Sequence, residues 1–101
     1  MEDQKLAVVV DDTTVNLKVA SNMLKLEGFD IITATNGLVG VESIKRSRRK
    51  PSLVLMDQCM PVMDGAEATR LIKEFDSDIP IVGLTTETDP TVLQDFKAAG
   101  L

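Results

Sequence analysis

Four short apolar runs, Leu6 to Val10, Ile31 to Ala34, Leu53 to Met56 and Ile81 to Leu84, alternate with longer stretches in which apolar residues recur at helical spacing. Runs this short and this rich in β-branched residues read as strands, and the first and third, apolar throughout, suit strands buried on both faces. Strands separated by helices imply parallel pairing through right-handed crossovers, with helices on both sides of one sheet. The chain is therefore expected to be an α/β domain in the order β-α-β-α-β-α-β-α.

The helical stretches carry their own punctuation. In the first, Val15, Val19, Met23, Leu24 and Leu26 are expected on one face, and Gly28 stands where a left-handed C-cap is needed. The second begins near Asn36-Gly37 and turns Val41 and Ile44 inward before a basic end. The third starts with Asp64 as N-cap and Glu67 three positions later, and buries Ala68, Leu71, Ile72 and Phe75. The fourth has Asp89 at the N-cap, Pro90 in the first turn, Leu93 and Phe96 on one face and Gly100 at the stop.

Composition narrows the function classes. At 101 residues the chain is one domain, and no apolar run approaches the roughly 20 residues of a membrane span. Three Phe with no Tyr or Trp, and a net charge of −5, argue against a base-stacking or phosphate-backbone surface, so neither a nucleic acid nor a membrane is expected as a partner. The basic run Lys45, Arg46, Arg48, Arg49 and Lys50 is read as a solvated helix end, where cations are favoured by the macrodipole. Histidine is absent, which excludes a His-ligated zinc site and a Ser-His-Asp or Cys-His nucleophile; a phosphoryl group arriving by way of histidine must come from another molecule. A single cysteine, Cys59, and no charged-then-apolar leader fit a reduced, cytoplasmic setting. Met23, Met56, Met60 and Met63 are read as packing residues and not as ligands.

In an open parallel sheet, functional side chains gather at the carboxyl ends of the strands. Here the first strand ends in Asp11-Asp12, the third at Asp57 and the fourth at Thr85-Thr86. If strands one and three are neighbours, ~4.8 Å apart, Asp12 and Asp57 come within reach of a shared ion. Clustered carboxylates repel one another, and a hard cation such as Mg²⁺, which takes one or two carboxylates and bridges to phosphate, relieves that repulsion. One carboxylate can then attack a phosphorylated donor. Asp57, terminating a central strand, is the best placed, with the Thr85 hydroxyl available to the transferring phosphoryl oxygens.

The run from Leu53 through Asp57, Met60-Pro61 and Asp64-Gly65 resembles the phosphorylation-site signature of two-component response-regulator receivers. Val8-Val9-Val10-Asp11-Asp12 followed by Asn16 is similar to that family's first strand and acidic pair, especially in receivers attached to hybrid sensor kinases, and the similarity continues through Ile81 to Thr85 and Ala98-Ala99-Gly100. The resemblance implies a flavodoxin-like, doubly wound sheet of order 2-1-3-4. It implies Asp57 as phosphoacceptor, Asp12 as a direct Mg²⁺ ligand, Asp11 as a ligand largely through water, Cys59 as a ligand through its backbone carbonyl, and Thr85 as the switch hydroxyl. It further implies a histidine kinase or histidine phosphotransfer protein as donor. The domain would then be a signalling phosphoacceptor and not a turnover enzyme, catalysing only its own phosphorylation and slow hydrolysis.

The chain departs from the family in stopping at Leu101, before a fifth strand, its lysine and a fifth helix could begin. Truncation, completion by a partner or by exchange between protomers, and a naturally short form are the alternatives. Strand four is then expected to be an open edge at which copies could pair. Two rival readings stand beside the receiver: a pseudo-receiver binding module without effective switching, and a haloacid-dehalogenase-type phosphohydrolase. The latter is disfavoured because Asp11-Asp12-Thr13 lacks the second Asp of a DxD pattern on strand one.

Overall fold

The computed structural model describes residues 5–57, 60 and 62–84. Within them run β1 (Leu6–Val10), α1 (Thr14–Leu26), β2 (Asp30–Ala34), α2 (Gly37–Arg46), β3 (Leu53–Asp57), α3 (Gly65–Phe75) and β4 (Ile81–Leu84). The strands form one parallel sheet of order β2-β1-β3-β4. The expected fourth helix, Thr85-Thr86 and Cys59 lie outside the described residues.

The sheet's two faces are covered differently. Val8 and Val10 of β1 and Val54 and Met56 of β3 point to the side of α2 and α3, where they join Val41, Ile44, Ala68, Ile72, Ile79 and Ile81 in the main core. Residues one step out of phase face the other side, because side chains alternate along a strand. There α1 packs on β1 and β2. Every residue of β1 is buried in consequence. On β3, which is not among the strands that α1 packs on, Leu53 and Leu55 are half-buried, short of the two-sided burial their apolar run predicts.

Helix ends follow the local chemistry. Asn36 caps α2, its side-chain oxygen accepting from Val39 N–H at 2.9 Å, and Asp64 caps α3 by accepting from Glu67 N–H at 2.9 Å. At the end of α1, Gly28 N–H donates to Lys25 O and Phe29 N–H to Leu24 O, both at 3.0 Å. That is the Schellman arrangement, and Gly28 adopts the left-handed φ of 93° that it requires. Lys45 and Arg46 occupy the last turn of α2, while Arg49 pairs with Asp30 at 2.8 Å and Lys50 with Asp76 at 3.4 Å.

Two sequence expectations are overturned. The face of α1 that meets the sheet carries Leu17 and Ser21, with Ala20 and Leu24 half-buried, whereas Val15 is 66% exposed, Leu26 88%, and Val19 and Met23 over half. At about 100° per residue the helix has two apolar stripes on roughly opposite sides, and only one can face a single sheet. Phe75, expected in the core, is 52% exposed: it is the last residue of α3, and its ring lines a surface cavity with Ile44, Pro51 and Ile79. Ala68 and Ile72 are buried as expected, and Leu71 packs partly against the core. Met56 is fully buried, and Met60 and Met63 pack against the core, so Met23 is the one exposed methionine among these four.

Candidate functional site

Strand register brings the acidic residues together. Val10, the last residue of β1, lies opposite Met56 of β3, so the two positions that follow, Asp11 and Asp57, stand side by side at the carboxyl edge of the sheet. Asp57 still belongs to β3, opposite Leu84 of β4.

Asp11 is only 4% exposed, and its carboxylate is held by the chain around it. Its backbone N–H donates to Ala34 O at 3.0 Å. Its Oδ1 accepts from Thr13 N–H at 2.9 Å and its Oδ2 from the Asn16 side-chain amide at 3.3 Å. The first of these side-chain bonds is an Asx turn that redirects the chain from β1 into α1, and together the two satisfy a buried anion. Asp12, one position on, is exposed, and its Oδ1 accepts from the Thr13 hydroxyl at 3.4 Å. One carboxylate oxygen from each of Asp11, Asp12 and Asp57 lies within 4.8 Å of the other two.

Three carboxylates so close form a set of hard oxygen donors. Their spacing fits a small divalent cation that keeps part of its water shell, as Mg²⁺ does. Asp11, with both oxygens already accepting from protein donors, is suited to act through water, while Asp12 is exposed and Asp57 half-buried at the same edge. The structure thus brings together three of the residues singled out from sequence, and the other two, Cys59 and Thr85, lie outside the described residues.

Sequence reasoning placed a loop between β3 and α3 but did not anticipate its backbone conformation or its contact with α2. Val62 sits there with φ of 71°, the left-handed region that a β-branched residue adopts only under strain, and it is 75% exposed. The next residue, Met63, accepts a hydrogen bond through its carbonyl from Gly37 N–H at 3.3 Å. The Asn36-Gly37 pair signalled a helix start, but nothing local to it announces a contact with a loop 26 positions away.

A parallel doubly wound sheet with an acidic cluster where strands one and three end defines a class, and comparison with known proteins places the chain within it. The response regulator receiver domain family matches residues 7–101. The chain belongs to that family. It is 39% identical over 95 residues to the two-component response regulator ORR41 of Oryza sativa subsp. japonica, covering 92% of this chain and 75% of the relative. It is 35% identical over 85 residues to hybrid signal transduction histidine kinase M of Dictyostelium discoideum, covering 79% of this chain but only 4% of that protein. Among solved structures, it is similar to the receiver domain of a sensor histidine kinase from Pseudomonas aeruginosa, which holds a magnesium ion in its active-site cleft. That likeness has a TM-score of 0.87 and 30% identity, over 98% of this chain and 81% of the other. The expected flavodoxin-like order 2-1-3-4 is thus borne out by both the sheet and its structural neighbours. No helix among the described residues is long and apolar enough to cross a membrane.

Proposed function

We propose that this receiver domain takes a phosphoryl group onto Asp57 from a phosphohistidine on a histidine kinase or phosphotransfer protein, with Mg²⁺ held by Asp11, Asp12, Asp57 and the Cys59 backbone carbonyl. The observation that carries this reading is the convergence of the three carboxylates to within 4.8 Å in a chain of this family. Asp57 attacks phosphorus through a carboxylate oxygen, the phosphorus–nitrogen bond breaks, and the imidazole leaves with the bonding electrons and is protonated from solvent. Bound Mg²⁺ supplies positive charge for the phosphoryl oxygens. Asp11, pinned by Thr13 and Asn16, orients the cluster, Asp12 offers a direct oxygen, and Thr85 supplies a hydroxyl to the phosphoryl group as the switch residue. The product is an acyl phosphate that serves as a signal, so the domain is not a turnover enzyme.

Intact-mass measurement after incubation with phosphoramidate, a small donor with the same phosphorus–nitrogen bond, tests the reading. The wild type should gain one phosphoryl group in Mg²⁺ and none in excess chelator, and Asp57→Asn should gain none. Labelling that persists in Asp57→Asn moves the acceptor elsewhere. Magnesium uptake without labelling identifies a binding module instead.

A further inference from the structure

We propose that Gly37 is a positioning residue for the acidic cluster: having no side chain, it lets the first turn of α2 seat against the Met63 carbonyl and hold the loop that leads away from Asp57. The inference rests on the magnesium reading of that cluster.

Six residues link Asp57 to Asp64, the cap of α3. Within the linker, Met60 and Met63 pack against the main core, and the Met63 carbonyl accepts from Gly37 N–H. At 3.3 Å that bond is long for N–H···O and weak on its own. The close approach behind it matters more. A Cβ at position 37 would stand 2.5 Å from Met63 O and 3.1 Å from both the Met63 Cγ and the Ala68 Cβ. The nearest obstacle is backbone, which cannot rotate aside, and Ala68 is fully buried in α3 and held in the core. The loop is therefore the part that would give.

Val62 shows that the loop is held from outside itself. Its side chain is largely in solvent and does nothing to secure a left-handed backbone, so the restraint comes from its neighbours. If the Met63 carbonyl is pushed outward, Val62 is released toward the extended region, and the restraint it places on the chain that follows Asp57 is lost. Mg²⁺ demands near-ideal octahedral geometry, and loss of groups that orient metal ligands commonly costs about 10- to 100-fold in affinity.

The test is calorimetric titration of Mg²⁺ into the full chain, with folding of each variant checked by circular dichroism. Gly37→Ala should bind Mg²⁺ about tenfold more weakly than wild type, the low end of that range. Met63→Ala, which unfastens the loop from the other side and leaves α2 intact, should do the same and decides the matter if Gly37→Ala does not fold. Ile44→Val weakens the packing of α2 far from the loop and should bind as wild type does. Wild-type affinity in Gly37→Ala or Met63→Ala, or an equal loss in Ile44→Val, overturns the positioning role alone. Absence of uptake by the wild type overturns the magnesium reading and the positioning role together.

Discussion

Replacing Asp57 by Asn should make the metal-free protein more stable, although it removes the proposed acceptor. Three carboxylate oxygens lie within 4.8 Å of one another. For a pair of unit charges at that separation, Coulomb's law gives ~0.9 kcal/mol in bulk water and ~3.5 kcal/mol at the effective dielectric of ~20 typical of a protein surface. Asp12 is exposed, so its repulsion of Asp57 lies near the lower figure; Asp11 is buried, so its repulsion lies nearer the upper. Side-chain relaxation removes part of each, leaving a net gain of about 1–3 kcal/mol for Asp57→Asn, or about 4–8 °C in Tm per kcal/mol for a domain of this size. Urea unfolding at pH 8 in chelator and low salt measures it. The gain should shrink in 1 M salt, where the screening length falls to about 3 Å. Mg²⁺ at about 1,000 times its Kd should reverse the order, since a ligand at that excess adds ~4.1 kcal/mol to the form that binds it. An Asp57→Asn protein no more stable than wild type, or a gain indifferent to salt, would refute the claim that clustered like charge strains this site.

The left-handed backbone at Val62 costs about 1–2 kcal/mol, against about 0.4–1 kcal/mol of extra chain entropy that glycine loses on folding, so Val62→Gly should stabilise by a few tenths to about 1 kcal/mol in the same urea assay. A destabilised variant would mean the residue is not strained. On α1, Leu17→Ala should cost about 2–4 kcal/mol while Val19→Lys stays within about 0.5 kcal/mol, and the opposite ranking would contradict the way the helix is seated. Asp64→Ala should cost about 1 kcal/mol through loss of the bond to Glu67 N–H, with Asp64→Ser retaining most of the stability; equal losses from both would show that the cap contributes little.

Much of the site could be read before any coordinates, because the relevant signals are local. A continuous apolar run followed by Asp11-Asp12, and another closing on Asp57, mark buried strands whose ends carry the chemistry. Asn36, Asp64 and Gly28 announce helix ends through side-chain acceptors and a permissive φ, which depend on neighbours within four residues. What could not be read are choices between equivalent local patterns. The sequence of α1 offers two apolar stripes, and only the position of the sheet selects Leu17 and Ser21 over Val15 and Val19. Phe75 looks like a core residue by spacing, but α3 ends there and leaves half of it in solvent.

By itself, then, the order of residues determined which of the described segments become strands and helices, where α1 stops, where α2 and α3 begin, and which carboxylates can take part, since all of these are settled by period, capping and strand length. Tertiary structure alone decided that Asp11 and Asp57, 46 positions apart, stand side by side at the edge of the sheet, that Gly37 lies against Met63, and that Val62 takes a conformation its side chain disfavours. The physical reason is that strand register and close backbone approach are properties of the assembled core, where several elements must fit at once, and no window along the chain contains them.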